Sequence, residues 1–332
     1  MSLRLAINGF GRIGRAAFKV ALEHPDVEVV ALNDLTDTKT LAHLLQYDSV
    51  YGRLSRTVTH TVDSLVIDGA TFRVFSEKDP AQLPWKELQV DVVIESTGHF
   101  LTQEKAMAHI QSGAKHVVIS APPKGGSVET FVMGVNTEAL TGQQIVSNAS
   151  CTTNCIAPAM QVLESEFGIT KAMMTTIHSY TADQNLIDGP HKDLRRARAA
   201  AVNIVPTTTG AAIATAETIP TLKDKFDGLA VRVPTPVGSL SDITAVMARP
   251  ITADEVNAAF KKAAASERFA GVLTVTEDPI VSSDIVGNPH ASIIDLSLTK
   301  VVDGNLLKVI AWYDNEWGYS HTLIRLARQI AV

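Results

Sequence analysis

With 332 residues, the chain is long for a single hydrophobic core, so we expect two domains of ordinary size. Its 45% hydrophobic and 19% charged residues exclude a largely disordered chain, and its net charge of −6 argues against a dedicated nucleic-acid partner. Two cysteines exclude a disulfide framework, and no signal peptide or membrane-length apolar stretch is recognisable, so we expect a cytoplasmic protein with no membrane partner.

The first predicted elements are a strand at residues 3–7, a glycine-rich turn and a helical run that starts at Arg15. The turn has the pattern G-x-G-x-x-G, formed by Gly9, Gly11 and Gly14. In a dinucleotide-binding turn these glycines provide the tight turn, the close approach of the backbone to a pyrophosphate, and the packing of helix on strand. The pattern alone is a weak signal, but its position between a strand and a helix is the one that binding requires.

The second strand strengthens this interpretation. It spans residues 27–32 and ends at Asn33 and Asp34, and Asp34 follows Gly14 by 20 residues. A carboxylate at this position accepts hydrogen bonds from the ribose hydroxyls of NAD and repels the 2′-phosphate of NADP. The alternative is a surface turn built on the Asn-Asp pair. We predict NAD as the cofactor and a Rossmann-type dinucleotide-binding domain over residues 1–150.

Further strands and helices continue this α/β pattern. We expect a helix at 38–47, a hairpin at 65–75 with its turn at Asp68 and Gly69, a strand at 91–95, a helix at 102–112 and a strand at 116–119. Thr97 and Ser120 follow two of these strands, and ligands of such sheets bind at the carboxyl ends of the strands. Both residues are therefore predicted cofactor contacts, although each is also an ordinary residue for a strand end.

One short segment holds both cysteines and precedes a helical run. Ser150 is a natural N-cap, which places Cys151 in the first turn, where the unpaired N–H groups are expected to lower the pKa of a thiol. We expect a helix over 151–166 that is bent at Pro158. The alternative for both cysteines is a buried apolar role, which we assign to Cys155, whereas the hydroxyl residues beside Cys151 suit an oxyanion.

Beyond Cys151 the pattern changes to strands with few helices between them. Strands are predicted at 171–178, 228–233, 243–247, 292–299 and 306–313, and helices at 252–265 and 319–330. This order predicts an α+β catalytic domain over 151–318 with a mostly antiparallel sheet, and we expect the C-terminal helix, 319–332, to pack back on the first domain. The polar stretch 179–203 is a long loop whose basic residues suit a phosphate, an oligomer contact or a solvated turn.

A thiol nucleophile needs a base nearby, and His178 ends an apolar strand where a sheet opens to a cleft. The alternative for a lone histidine at a strand end is a structural role. A cysteine, a base and NAD together favour oxidation of an aldehyde through a thiohemiacetal and a thioester, which hydrolysis or phosphorolysis would release. The surrounding hydroxyls favour phosphate. The sequence contains no H-E-x-x-H, no C-x-x-C and no clustered carboxylates, so we expect no catalytic metal.

Several motifs together resemble the phosphorylating glyceraldehyde-3-phosphate dehydrogenases of glycolysis, over essentially the whole chain. They are N-G-F-G-R-I-G at 8–14, S-N-A-S-C-T-T-N-C at 147–155, H-S-Y-T at 178–181, T-G-A-A at 209–212, R-V-P-T at 232–235 and W-Y-D-N-E-W-G-Y at 312–319. The resemblance implies oxidation of glyceraldehyde 3-phosphate by NAD and inorganic phosphate to 1,3-bisphosphoglycerate. An enzyme of the same family acting on erythrose 4-phosphate and a non-catalytic RNA-binding or structural oligomer are the alternatives.

The resemblance also implies roles for individual residues, with Cys151 as the nucleophile and His178 as the base that activates it. The implied phosphate contacts are Thr181 and Arg232 at the substrate's own phosphate, and Ser150, Thr152, Thr209 and Gly210 at the attacking inorganic phosphate. The implied cofactor contacts are Phe10, Arg12 and Ile13 in the glycine turn, Asp34 at the ribose and Asn315 at the nicotinamide carboxamide. The loop 179–203 resembles an S-loop that packs against a neighbouring subunit, so a homotetramer is implied. Ile213, where a lysine is common, and the run 237–241 depart from the family pattern.

Overall fold

Two groups of strands form two large sheets in the computed structural model, which describes residues 2–125 and 127–331. Each sheet is the centre of one unit of the chain. The first unit comprises Met1–Phe131, Glu138–Ala149 and Ser320–Val332, and the second comprises Val132–Thr137 and Ser150–Tyr319. Among the described residues, no helix combines the length and the apolar character needed to cross a bilayer.

The first unit holds eleven strands within the described residues. They are β1 (Leu3–Asn8), β2 (Val27–Asn33), β3 (Tyr47–Asp48), β4 (Gly52–Arg53), β5 (Val58–His60), β6 (Ser64–Ile67), β7 (Ala70–Phe75), β8 (Val92–Glu95), β9 (His116–Ile119), β10 (Glu129–Thr130) and β11 (Ile145–Ser147). Its helices are α1 (Arg12–Ala21), α2 (Thr38–Gln46) and α3 (Gln103–Gln111). The main sheet has the order β10-β11-β9-β8-β1-β2-β7-β6-β5, and β3 pairs with β4.

The centre of this sheet is parallel, because β1 pairs in parallel with β2 on one side and with β8 on the other. The chain order reverses between β1 and β8, and ligands of such sheets bind beyond the carboxyl ends of the strands at this switch point. β8 is buried along its whole length, as expected of a parallel strand covered on both faces. The switch point therefore lies where Asn8 and Glu95 end their strands.

The second unit contains the strands β12 (Ile169–Ser179), β13 (Val205–Thr208), β14 (Phe226–Val233), β15 (Ser239–Met247), β16 (Leu273–Thr276), β17 (Ser292–Val302) and β18 (Leu306–Tyr313). Its helices are α4 (Cys151–Phe167), α5 (Ala211–Thr218) and α6 (Ala253–Ala264), while α7 (Trp317–Ile330) starts in this unit and ends in the first. The sheet order is β13-β14-β12-β15-β18-β17-β16. The pairs β12–β14 and β16–β17 are parallel, and the other four pairs in the described residues are antiparallel.

Helix α4 is the helix that positions the predicted nucleophile. It packs on β12, β15, β17 and β18, beside α5 and α6. Most of its residues are buried, including Cys155, Met160 and Leu163. β15 alternates buried and half-buried residues along its length, which is typical of an antiparallel sheet with one well-covered face. The packing of α4 on this sheet brings Cys151 to the end of β12.

The predicted fold class is confirmed, and most predicted elements lie within a few residues of the observed ones. The hairpin turn has positive φ at Asp68 (50°) and Gly69 (87°), as its residue types indicate. α4 continues through Pro158 to Phe167. The sequence does not predict α5, β13 or β16, because the apolar residues of these short runs clearly follow neither the periodicity of a helix nor that of a strand. Short 3₁₀ helices lie at Pro80–Gln82, Thr137–Ala139, Ala200–Val202, Pro220–Leu222 and Glu267–Phe269.

Candidate active site

The candidate nucleophile lies at the start of helix α4. Ser150 has an extended backbone (φ −101°, ψ 164°), and its Oγ accepts a hydrogen bond from the Thr153 N–H at 3.0 Å, so it is the N-cap that the sequence predicts. Cys151 is the first helical residue and is partly exposed, whereas Cys155, one turn later, is fully buried. The helix thus places one partly exposed cysteine residue at its start and one fully buried cysteine a turn later.

The ring of His178 lies against this sulfur, with Nε2 at 3.4 Å from Cys151 Sγ. The other ring nitrogen, Nδ1, lies 2.6 Å from the backbone oxygen of Ser179, which can only accept a hydrogen bond, and 3.1 Å from Arg232 Nη1, which can only donate one. The contact with the oxygen is the shorter of the two, and Arg232 Nη1 also donates to that oxygen and to the Thr181 hydroxyl. We therefore place the proton of the neutral ring on Nδ1, so that the lone pair of Nε2 faces the thiol. This is the geometry of a general base that can accept the Sγ proton.

Burial dominates the ionisation of this pair. It raises the pKa of the Cys151 thiol, although the charge of Arg232 and a hydrogen bond with Thr152 act in the opposite direction. Burial, followed by the charge of Arg232, lowers the pKa of His178 to about 3. The expectation of a lowered thiol pKa is therefore wrong for this structure, because both shifts favour a neutral thiol beside a neutral imidazole. The proton must pass to His178 as the sulfur forms its new bond.

A buried hydroxyl network lies beside the thiol. Tyr313 Oη is 2.9 Å from Thr152 Oγ1 and 2.7 Å from Thr176 Oγ1, and all three residues are buried. The Tyr313 ring also meets the His178 ring edge to face, with centroids 5.9 Å apart. The Thr152 hydroxyl thus belongs to a buried network instead of the open hydroxyl cluster that the sequence predicts. Sequence reasoning gave Thr176 and Tyr313 no role of their own, because no local pattern distinguishes them from the other residues of their strands.

Two predicted phosphate ligands come together near the end of β14. Arg232 Nη1 donates to Thr181 Oγ1 and to the Ser179 carbonyl oxygen, both at 3.0 Å. Thr181 donates to Asp183, which also accepts from Arg196. Burial raises the pKa of Asp183, but the Thr181 hydroxyl and the Arg196 charge outweigh it and leave the pKa below its ordinary value. Sequence reasoning did not single out Arg196, whose one signal was the basic run in its loop.

Thr209 and Gly210 immediately precede helix α5. Thr209 Oγ1 accepts a hydrogen bond from the Ala211 N–H at 3.2 Å, and Gly210 is the N-cap residue. A Cβ added at Gly210 would meet no atom within 4 Å, so the backbone is accessible there. An accessible helix N-terminus beside a hydroxyl is a favourable place for an anion, which agrees with the predicted role of both residues.

Asn315 has an amide whose orientation is fixed by its neighbours in the second unit. Its Oδ1 accepts from the Gly238 N–H at 3.2 Å and from the Ser239 hydroxyl at 2.8 Å. Because the backbone N–H can only donate, the oxygen of the amide is identified, and the NH₂ group points away from these two donors. A directed NH₂ group suits the carbonyl oxygen of a carboxamide. The run 237–241 that departs from the family pattern includes both donors.

The three glycines of the turn in the first unit have three different functions. Gly9 has φ +91°, and a Cβ there would lie 2.8 Å from Thr97 N. A Cβ at Gly14 would lie 2.0 Å from the Gly9 carbonyl oxygen, so α1 can pack here only without a side chain. A Cβ at Gly11 would meet nothing within 4 Å, which leaves open space at the N-terminus of α1. Turn, packing and phosphate approach are the functions that a dinucleotide site requires.

Asp34, which directly follows β2, contacts this turn. Its Oδ2 accepts from the Phe10 N–H at 2.7 Å, so the predicted ribose contact is joined to the glycine turn. The Phe10 ring is buried, and its backbone is the part that lies in the turn. Arg12 and Ile13 form the first turn of α1, where backbone N–H groups bind phosphates, while the Arg12 guanidinium pairs with Asp48 at 2.8 Å.

Thr97 and Ser120 lie at the carboxyl ends of the neighbouring strands β8 and β9. The Ser120 N–H donates to the Glu95 carbonyl oxygen at 2.9 Å, and the Thr97 N–H donates to the Glu95 carboxylate at 2.8 Å. Glu95 is fully buried and fixes both residues at the edge of the sheet. Sequence reasoning missed Glu95, because it is the last residue of an otherwise apolar strand.

A parallel sheet with this glycine turn and an acidic ribose position binds a nicotinamide dinucleotide, and the second unit presents a thiol with its base. These features define an NAD-dependent oxidoreductase, in which Cys151 is the candidate nucleophile. Residues 3–103 match the NAD binding domain of glyceraldehyde 3-phosphate dehydrogenase, and residues 150–315 match the C-terminal domain of the same family. The chain belongs to the glyceraldehyde-3-phosphate dehydrogenase family.

Individual relatives support this membership over nearly the whole length. Glyceraldehyde-3-phosphate dehydrogenase 2 of Streptomyces avermitilis is 56% identical over 329 residues, which cover 98% of both chains. The enzyme of Geobacillus stearothermophilus is 53% identical over 333 residues, covering 100% of this chain and 99% of its own. The enzyme of Mycobacterium tuberculosis is 55% identical over 334 residues, covering 98% of both chains.

Proposed function

We propose that the chain oxidises D-glyceraldehyde 3-phosphate with NAD and inorganic phosphate, giving 1,3-bisphosphoglycerate. The observation that carries the proposal is the contact of Cys151 Sγ with the unprotonated Nε2 of His178 at 3.4 Å. The names of the relatives indicate the substrate. The geometry supplies a nucleophile and a base that suit an aldehyde.

The first step is the addition of the thiol to the aldehyde. Cys151 Sγ bonds to the carbonyl carbon while its proton passes to His178 Nε2, so the neutral pair becomes an imidazolium beside a tetrahedral oxyanion. The imidazolium then donates this proton to the oxyanion and forms a thiohemiacetal. The Ser179 carbonyl oxygen accepts from Nδ1–H throughout and keeps Nε2 directed at the reacting atoms.

The next steps form and release the thioester. When bound, NAD supplies the hydride acceptor. His178 takes the hydroxyl proton of the thiohemiacetal as the hydride leaves its carbon, so a thioester remains on Cys151. Inorganic phosphate attacks the thioester carbonyl, the C–S bond breaks, and the departing sulfur takes the proton from His178. Cys151 and His178 return to their neutral forms.

Two groups of residues suit the two phosphates. Arg232 and Thr181 fit the substrate's own phosphate, because a guanidinium binds phosphate with two parallel hydrogen bonds and the Thr181 hydroxyl, which donates to Asp183 in this structure, would donate to the phosphate instead. Ser150, Thr209 and Gly210 fit the attacking phosphate. Ser150 caps α4, Gly210 caps α5, and these two helices pack together. Helix N-termini favour anions.

We further propose that the chain forms a homotetramer in the cytoplasm. The loop 179–203 exposes the large apolar side chains Leu186, Ile187 and Leu194, and such a group suits burial against a neighbouring subunit. Catalysis by Cys151 requires a reduced thiol, which suits a reducing compartment.

A spectrophotometric assay of NADH formation tests the proposed reaction. Glyceraldehyde 3-phosphate and NAD should give sustained NADH formation with phosphate, and the steady-state rate should fall by about tenfold or more without it. Cys151→Ser should be inactive, and erythrose 4-phosphate should be the poorer substrate. Turnover by the serine variant would overturn the mechanism, and a preference for erythrose 4-phosphate would overturn the substrate.

A further inference from the structure

The peptide group between Gly9 and Phe10 opens the glycine turn, and both of its polar atoms have a side-chain partner. The Phe10 N–H donates to Asp34 Oδ2 at 2.7 Å. The Gly9 carbonyl oxygen lies 2.7 Å from the hydroxyl oxygen of Ser96. Because a trans peptide group directs its N–H and its C=O to opposite sides, Asp34 and Ser96 hold this group from two opposite directions. Ser96 has no part in the reaction steps above and is not among the predicted cofactor contacts.

Ser96 is the donor in its contact with the Gly9 oxygen, because a carbonyl oxygen can only accept a hydrogen bond. A second carbonyl oxygen, that of Asn8, lies 3.0 Å from the same hydroxyl, which has one proton to donate. The Asn8 oxygen already accepts from the Ser96 N–H at 2.8 Å, and the Gly9 oxygen is the nearer of the two to the hydroxyl. The hydroxyl bond therefore goes to Gly9.

Close packing surrounds this hydrogen bond. A Cβ at Gly14 would lie 2.0 Å from the Gly9 carbonyl oxygen and 3.1 Å from Ser96 Oγ. A Cβ at Gly9, which has φ +91°, would lie 2.9 Å from the carbonyl carbon of Ser96. The Ser96 hydroxyl thus lies where the end of β8, the glycine turn and the first turn of α1 meet, and a change there acts directly on the turn.

At the other side of the peptide group, two N–H groups orient the Asp34 carboxylate. Its Oδ2 accepts from Phe10, and its Oδ1 accepts from the Thr36 N–H at 2.9 Å. Thr36 belongs to the same loop as Asp34, so the Phe10 N–H is the bond that joins the carboxylate to the glycine turn. The orientation of the Gly9–Phe10 peptide group therefore determines how the predicted ribose contact is oriented.

We propose that Ser96 is a positioning residue that strengthens the preference for NAD over NADP, acting through the Gly9–Phe10 peptide group on Asp34. The inference rests on the proposed function and on the predicted ribose contact of Asp34. A fixed carboxylate accepts hydrogen bonds from the ribose hydroxyls of NAD and repels the 2′-phosphate of NADP. A carboxylate that is free to turn does both less well, so Ser96 affects the choice of cofactor without a contact of its own to the cofactor.

Steady-state kinetics of the full-length protein with NAD and with NADP test the proposal. Ser96→Ala removes the hydroxyl alone, so the cofactor quotient, which is kcat/KM for NAD divided by kcat/KM for NADP, should fall by about threefold or more. This quotient does not depend on the fraction of folded enzyme, because both cofactors are measured on the same sample. A serine with a purely structural role would lower both efficiencies equally, so an unchanged quotient in Ser96→Ala would overturn the proposal.

Ser112→Ala is the matched control. The Ser112 hydroxyl also donates to a backbone oxygen, that of His109 at 3.0 Å, but it lies at the end of α3. This variant should leave the cofactor quotient unchanged. The action through the carboxylate is tested by adding Ser96→Ala to Asp34→Ala, where the serine substitution should no longer change the quotient. A fall of the same size with and without Asp34 would overturn the proposal.

Hydrogen exchange of the unaltered protein, freed of nucleotide, depends neither on the folding of a variant nor on activity. The Phe10 amide should exchange at least about tenfold more slowly than in an unfolded peptide of the same sequence, because Asp34 holds it before any cofactor binds. Exchange at the rate of the unfolded peptide would overturn the proposal. Failure of the unaltered protein to form NADH would instead contradict the proposed function.

Discussion

At the scale of single residues, the chemistry depends on the transfer of one proton from Cys151 to His178. The Cys151 thiol faces Nε2 of His178, and the Ser179 oxygen holds the imidazole in the required tautomer. Because burial disfavours the charged forms of both side chains, the pair becomes charged only when the sulfur attacks. The base, more than the position at the helix end, therefore activates the thiol.

Replacing the base tests this view. His178→Asn should lower kcat by roughly two to four orders of magnitude, the usual contribution of a general base, and should slow alkylation of Cys151 by iodoacetamide. Cys155 should stay unlabelled in the native protein, because it is fully buried and burial raises the pKa of its thiol. Peptide mapping after brief treatment measures both cysteines. Equal labelling of the two, or unchanged labelling of Cys151 in the variant, would contradict the assignment.

Arg232→Ala should raise the KM for glyceraldehyde 3-phosphate by roughly tenfold to a hundredfold, since a charge-assisted contact contributes about 1.5–3 kcal/mol. The catalytic efficiency with unphosphorylated glyceraldehyde should fall less. Some fall is expected, because Arg232 also donates to the Ser179 oxygen that orients His178. Thr181→Val is the control: it removes a neutral donor and should have a smaller effect, confined to the phosphorylated substrate. If steady-state kinetics showed equal losses for both aldehydes in Arg232→Ala, the arginine would belong to the chemical step.

At the scale of elements, the glycine turn and the start of α4 could be predicted because local backbone chemistry determines both. Contacts between residues that are far apart in the chain could not be predicted. Asn8 and Glu95 are 87 residues apart in the chain, and Thr152 and Tyr313 are 161 apart, and no local pattern reports such pairs. The raised thiol pKa was missed for the same reason, because burial depends on the packing of the whole unit.

The glycine turn gives a matched pair of variants. Gly14→Ala should destabilise the protein by about 2 kcal/mol or more, because its Cβ would lie 2.0 Å from the Gly9 carbonyl oxygen. Gly11→Ala places its Cβ in open space, so it should fold with nearly the same Tm but bind NAD about tenfold or more weakly. Thermal unfolding and calorimetric titration distinguish the two effects. Normal NAD binding by Gly11→Ala would show that the pyrophosphate lies elsewhere.

At the scale of the whole molecule, the two units have separate tasks: one forms a dinucleotide turn, and the other presents a thiol, its proposed base and the proposed phosphate ligands. The proposed homotetramer should sediment at four times the chain mass of 35.6 kDa. Leu194→Asp, in the exposed loop 179–203, should shift the protein toward smaller species, because it places a charge in the proposed contact. Val62→Asp, at an even more exposed position outside the loop, is the control. A monomeric unaltered protein would contradict the assembly.

Covalent catalysis at Cys151 is tested most directly by rapid mixing of the protein with NAD and glyceraldehyde 3-phosphate in the absence of inorganic phosphate. We predict a burst of about one NADH per chain, followed by a near halt, with the acyl group found by mass spectrometry on the peptide that contains Cys151. Addition of phosphate should release the acyl group and restore turnover. An adduct on another residue, or steady turnover at the same rate without phosphate, would contradict the thioester mechanism.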